Sequence, residues 1–257
     1  MKAIPPHLLL LPGLVCDAEV WEHQARTLGE TITVSVADYG ASGSLEEMAR
    51  VALEGAPQRF AVAGHSMGGR VALEAFRRAP ERVVAIAIMD TGYEKWMPGD
   101  AGEAEKAKRS AFVEIARSRG MRAMARQWVQ GMVHPDRLMD GLLIASIIDM
   151  LSRKTPEIFA AQNNALLERP DATPLLAAIR CPALVLCGRE DAWSPVGRHT
   201  AMAALIPQSK FVAIENCGHM STMERPEEVT AAMADWLQIS IRESSASASS
   251  RAVDAKP

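Results

Sequence analysis

The sequence predicts an α/β fold: a sheet of about six mainly parallel strands flanked by helices, with a helical segment inserted between the fourth and fifth strands. Short apolar runs alternate with amphipathic stretches, as βα units do. The runs are apolar nearly throughout, as expected of strands covered on both faces. Between Tyr93 and Ala178 roughly 85 residues contain no strand-like run, and strand-rich sequence resumes at Pro182.

In chain order the strand runs are His7–Leu11, Thr31–Ala37, Phe60–Gly64, Val83–Met89, Ala183–Cys187 and Phe211–Ile214. A helix follows Ser66, with Val71, Ala72, Ala75 and Phe76 on one stripe, and Pro80 stops it. The interrupting segment reads as helices over Glu103–Arg119, Met121–Val133, Arg137–Arg153 and Pro156–Glu168, with Glu103, Glu105, Lys106 and Lys108 on a solvated face. The last helix starts at Pro226, has Glu227 and Glu228 in its first turn, and buries Val229, Met233, Trp236 and Leu237. The expected organisation is a core over residues 1–92 and 179–240, a helical cap over 93–178, and a Ser- and Ala-rich flexible tail over 241–257.

Composition narrows the function. With 28 Lys and Arg against 31 Asp and Glu, the 257-residue chain has a formal charge of −3 and no strongly basic surface to recruit nucleic acid. No run of about 20 apolar residues is present, so no membrane span is expected. The leucine run at 8–11 is too short for a signal peptide, and the four cysteines form no CxxC pair, so a cytoplasmic, reduced protein is expected. Six scattered histidines give no zinc spacing, and no GxGxxG or P-loop stands after a strand, so neither metal nor cofactor is indicated.

Chemistry concentrates at Gly64-His65-Ser66-Met67-Gly68, between the third strand and its helix. A serine hydroxyl needs exposure and a base to act as nucleophile, and a sharp strand-to-helix turn flanked by glycines supplies the exposure. Downstream, His219 follows the last strand in Glu215-Asn216-Cys217-Gly218-His219, at the carboxyl edge where open α/β sheets place their chemistry. His199 sits in a helix and His134 in the insertion, so His219 is the expected base. Asp191, directly after the fifth strand, is the expected orienting acid, with Asp90 and Glu190 as competitors. Backbone N–H groups of Met67 and Leu14 are expected to hold an oxyanion. Trp96, Met124, Trp128, Met132 and Met220, with Met121, Met139 and Met150, are candidates for the pocket lining. Asp38-Tyr39-Gly40, after the second strand, is either a cleft edge or a turn.

The Gly64–Gly69 elbow, the Gly188…Asp191…Pro195 segment and Gly218-His219…Glu224…Pro226 together resemble the α/β-hydrolase superfamily, in its capped single-domain serine esterase form, from His7 to about Leu237. The chain is similar to small carboxylesterases, pimeloyl-carrier-protein methyl ester esterases and enol-lactonases. It departs from them in carrying Pro12-Gly13 where His-Gly is usual, and in having only six residues before its first strand, which leaves no room for two further antiparallel strands. Ser66 excludes the relatives that use an aspartate nucleophile. The resemblance implies hydrolysis of a small to medium carboxylic ester through an acyl-enzyme. A lactonase, C–C hydrolase or lyase would use the same three residues, and a non-catalytic ligand-binding relative would use only the pocket.

Overall fold

The computed structural model describes residues 7–238; the tail expected over 241–257 lies outside the described residues. One six-stranded sheet runs in the order β2-β1-β3-β4-β5-β6, every neighbouring pair parallel. Its strands are β1 (His7–Leu11), β2 (Thr33–Val36), β3 (Phe60–His65), β4 (Val83–Met89), β5 (Ala183–Gly188) and β6 (Ser209–Ile214). The inner strands β3 and β5 are buried along their full length, whereas the edge strands β2 and β6 are half-exposed. That contrast follows from helices covering both faces in the middle of a parallel sheet.

β2 is shorter than the expected Thr31–Ala37 run. Helix α1 (Glu22–Gly29) ends just before it, and the N–H groups of Thr31 and Ile32 both turn back to Leu28 O, which uses them for the helix end. Helix α2 (Leu45–Glu54) starts at Ser44, whose Oγ accepts the Glu47 N–H at 3.1 Å, while Glu47 accepts the Gly43 N–H. Only Ser66 separates β3 from helix α3 (Met67–Arg78), in which every residue from Val71 to Phe76 is buried, between the sheet and α2.

Strand order reverses between β1 and β3: the chain moves outward to β2, then crosses back over β1. The carboxyl ends of β1 and β3 therefore flank a crevice, the position at which open α/β sheets bind ligands.

Between β4 and β5 lie α4 (Asp100–Arg119), α5 (Met121–Trp128), α6 (Gly141–Ser152), α7 (Pro156–Leu167) and α8 (Thr173–Leu176). The Ala172 N–H donates to Tyr93 O at 2.9 Å, so the segment leaves and rejoins the core at one point. Two helices expected to be continuous are interrupted. After Trp128 the chain tightens into a 3₁₀ turn, Val129–Gly131, and Asp140 separates a 3₁₀ turn at Pro135–Met139 from α6. Asp140 breaks the run because its carboxylate caps α6, accepting the Leu143 N–H at 3.1 Å. The chain closes with α9 (Val196–Leu205), α10 (Ser221–Glu224) and α11 (Pro226–Leu237), the last burying the four residues expected of it. Among the described residues no helix is long and apolar enough to cross a membrane, and no group of three or more His, Cys, Asp or Glu is placed to hold a metal ion.

Candidate active site

Ser66 sits between β3 and α3 with φ 56° and ψ −120°, a left-handed conformation unusual for a residue with a side chain. The turn is tight enough to require its glycines. A Cβ on Gly64 would lie 2.1 Å from Gly68 O, and one on Gly68 2.0 Å from Leu11 O. The Ser66 N–H is held by Met89 O at the end of β4.

Ser66 Oγ lies 2.8 Å from His219 Nε2, and His219 Nδ1 lies 2.8 Å from Asp191 Oδ2. With Nδ1–H donating to the carboxylate, Nε2 is left as an acceptor for the hydroxyl. The other Asp191 oxygen, Oδ1, accepts the N–H groups of Trp193 and Ser194 at 2.8 and 2.9 Å. Burial alone would raise the Asp191 carboxyl, but the His219 ring and these two amides outweigh it and hold the group below the usual carboxylate range. Burial alone would lower His219; the charge and hydrogen bond of Asp191, then Asp90 and Glu224, raise it above its ordinary value.

The two competing acids bond other groups. Asp90 is fully buried at the end of β4, where Oδ1 accepts the Gly188 N–H at 3.0 Å and Oδ2 accepts the Ser221 hydroxyl. Burial and then the Asp191 charge push its carboxyl well up. Glu190 turns to the Cys217 N–H at 3.0 Å. His199 Nε2 accepts the Thr91 N–H at 2.9 Å, which ties α9 to the end of β4, and His134 accepts the Asp136 N–H.

On the opposite side is the loop after β1. Val15 has φ 52° and donates its N–H to Gln162 Oε1 of α7 at 2.8 Å, and the Cys16 N–H returns to Gly13 O. The same Gln162 reaches Gly40 O through Nε2, so one side chain of the insertion joins the loops after β1 and β2. Tyr39 is buried in the second of these, with its hydroxyl directed to Pro12 O at 3.4 Å. Met67 is the first residue of α3, where a helix N–H has no intrahelical acceptor. Gly13, Leu14, Met132, Met220, Ser66 and His219 enclose a small cavity beside the loop after β1.

Three features of the site were not anticipated from the sequence. Glu224, almost wholly buried, accepts N–H groups from Gly218 (3.1 Å to each oxygen), Met220 (3.1 Å) and His134 (2.7 Å). The His219 N–H also donates to Met132 O at 2.7 Å, so the histidine loop is pinned to the insertion. His65 Nε2–H donates to His219 O at 2.8 Å, while burial and the neighbouring His219 push its own pKa down to about 4, so it is neutral. The signals were present: Glu224 stands five residues after the histidine, and His65 directly before the serine.

A larger cavity of about 490 Å³ opens over Ser66 and His219, within the range that holds small molecules. Trp128, Trp193, Phe112 and Phe159 form an aromatic wall; the Trp193 ring lies 4.9 Å from that of His219 and stacks on Trp128 at 5.2 Å. Of the expected lining residues, Trp128 faces both cavities, and Met132 and Met220 face the smaller one. Trp96 instead packs on the start of α4, donating to Gly102 O at 3.3 Å, and Met124 is buried inside the insertion. Met121 and Met150 are buried as well, and Met139 is 91% exposed. None of these five lines either cavity.

A family model described as "Alpha/beta hydrolase family" matches residues 8–232. A solved thermophilic esterase from Thermogutta terrifontis, with malate bound, is 32% identical and superposes with a TM-score of 0.82 over 90% of this chain and 89% of that one. The pimeloyl-[acyl-carrier protein] methyl ester esterase of Nitrosomonas europaea is 26% identical over 241 residues, 87% of this chain and 92% of that protein. The enol-lactonase from Burkholderia xenovorans LB400, at 22% identity and a TM-score of 0.79 over 92% of each chain, is alike in fold.

Proposed function

The chain belongs to the alpha/beta hydrolase family, and on that premise we propose that it is a serine hydrolase of carboxylic esters whose nucleophile is Ser66. The observation that carries the reading is the continuous hydrogen-bonded chain Ser66–His219–Asp191 at the carboxyl edge of the sheet, with 2.8 Å at each link. His219 Nε2 takes the Ser66 proton as Oγ bonds to the ester carbonyl carbon. The carbonyl oxygen becomes an oxyanion, held by the Leu14 and Met67 N–H groups. Collapse expels the alcohol, which receives its proton from His219 and leaves an acyl-enzyme. Water then attacks the acyl carbon with the same histidine as base, releasing the acid and restoring the Ser66 hydroxyl. Asp191 fixes the His219 tautomer and offsets the imidazolium charge.

The insertion over residues 93–178 acts as a lid on the core formed by 1–92 and 179–240. It contributes Trp128 and Phe159 to the cavity wall, and Gln162 positions the oxyanion loop. The four free cysteines suit a reducing, cytoplasmic setting.

Hydrolysis of 4-nitrophenyl acetate, butyrate, octanoate and laurate, together with fluorophosphonate labelling, tests this reading. Turnover and labelling that both vanish in Ser66→Ala support it. Turnover at the wild-type rate in that variant sinks it.

A further inference from the structure

Besides its aromatic residues, the larger cavity is lined by several cations. Arg70, Arg109, Arg169, Arg198 and Lys108 all line it, with Asp90 and Glu105 as the carboxylates; Asp90 is turned to the Gly188 N–H and the Ser221 hydroxyl. Glu105 is already committed, bonding Arg109 Nε at 2.9 Å and Arg169 Nη2 at 2.8 Å. Arg198 reaches only the outlying Glu94, at 3.5 Å. Arg70 has no carboxylate within 4.0 Å among the described residues; its Nη1 donates to the backbone oxygen of Glu94 at 3.0 Å.

Arg70 lies one helical turn beyond Ser66 on α3, and so on the same side of that helix as the serine. It converges with Arg198 over Gly92, where a Cβ would come within 2.9 Å of Arg70 Nη2 and 3.1 Å of Arg198 Nη1. A side chain at position 92 would fill the space the two guanidiniums share. Two like charges drawn together beside a cavity, with only the half-exposed Glu94 paired to one of them, are a costly arrangement that an anion would relieve. Burial, then the charges of Arg169 and Arg198, push the Arg70 pKa down to about 9, with Glu94 and Glu105 offsetting only part of the shift.

We propose that Arg70 and Arg198 form a subsite for a second anionic group on the substrate, so that the enzyme acts on esters carrying a carboxylate or phosphate separated from the scissile bond by a short apolar spacer. The spacer lies along Trp128, Trp193 and Phe159, and the anion accepts hydrogen bonds from the two guanidiniums. This rests on the esterase reading above and names its substrate class.

The test compares mono-4-nitrophenyl adipate with 4-nitrophenyl hexanoate, which share leaving group and acyl length and differ in the terminal carboxylate. The wild type should favour the anionic ester in kcat/KM by tenfold or more, with the ratio falling towards one in Arg70→Gln and in Arg198→Gln. A parallel pair, 4-acetoxybenzoate and its methyl ester, places the anion on the leaving group; the same preference there supports the subsite and assigns it to the alcohol side. Binding is read separately, from the fluorescence of Trp128 and Trp193 on titration with adipate or inorganic phosphate. Saturable quenching that both variants lose supports the subsite even if no ester is turned over, and in that event it is the esterase reading that fails. Tighter phosphate than adipate identifies phosphate as the group. Equal turnover within both ester pairs, with no anion binding, overturns the proposal.

Discussion

Glu224→Gln is the most informative single change outside the hydrogen-bonded trio Ser66, His219 and Asp191. It preserves shape but replaces one carboxylate oxygen with an NH₂ group that cannot accept. In the native protein Oε1 receives Gly218 and Met220, and Oε2 receives His134 and Gly218. Whichever oxygen is replaced, at least one backbone N–H loses its acceptor and faces a donor instead. A hydrogen bond to a charged group contributes about 1.5–3 kcal/mol, and a buried donor left unpaired costs about 1–3 kcal/mol. A loss of about 2–4 kcal/mol follows, or roughly 5–15 °C in Tm for a domain of this size. The affected amides flank His219 and hold it to the insertion, so the imidazole should shift relative to Ser66. A misplacement of about 1 Å costs on the order of 100-fold in rate. The assay pairs urea unfolding with steady-state kinetics at a temperature where the variant is fully folded, and kcat should fall more than KM rises. Stability within about 0.5 kcal/mol of the wild type, with unchanged kcat, would refute the clamp; lost stability with unchanged kcat would leave Glu224 a purely structural residue.

Other predictions follow from the same geometry. Because the His219 pKa is raised and its protonated ring cannot accept the Ser66 proton, kcat/KM should fall with acid along a limb centred above pH 6.5; a limb centred below 6.5 would contradict the Asp191 pairing. Asp191→Asn should lower kcat by about 10³–10⁴-fold and move that limb to lower pH, which a pH profile of the residual activity reads directly. Gln162→Leu removes the acceptor of the Val15 N–H and should cost about tenfold in kcat through a loosened oxyanion loop; kinetics matching the wild type would mean the loop holds its shape unaided. Gly68→Ala should leave no soluble folded protein, since its Cβ would stand 2.0 Å from Leu11 O; a folded, active variant, identified by its circular dichroism and activity, would contradict the close approach.

The candidate site was legible where local pattern and chemistry coincide. Ser66, Asp191 and His219 each stand within about five residues of the end of a strand-like run, and parallel strands bring all such ends to one edge, so chain order brought them to the same edge. The strands were legible for a related reason: a run buried on both faces has to be apolar. Discrepancies arose where one hydrogen bond decides. Thr31 and Ile32 look like strand but close a helix end, and Asp140 breaks a helical stripe by capping the next helix. The pocket was least legible because its wall is a tertiary assembly. Arg70 comes from α3, Arg109 from α4, Arg169 from beyond α7 and Arg198 from α9, and no periodicity links them. Trp96 and Met124 fit the composition of a pocket lining, but composition does not determine which face of a helix meets the cavity.

The bond between Ala172 and Tyr93 gives the insertion the look of a detachable cassette that could be exchanged to change selectivity. Its inner side contradicts that. Met132 O receives the His219 N–H, and the His134 N–H reaches the same Glu224 that braces the histidine loop. A graft that swapped the segment for a foreign one would carry off part of the scaffold that positions His219. Changes of preference in this lineage should therefore arise from point substitutions on the inner wall, and wholesale replacement should succeed only when the donor brings its own hold on the histidine.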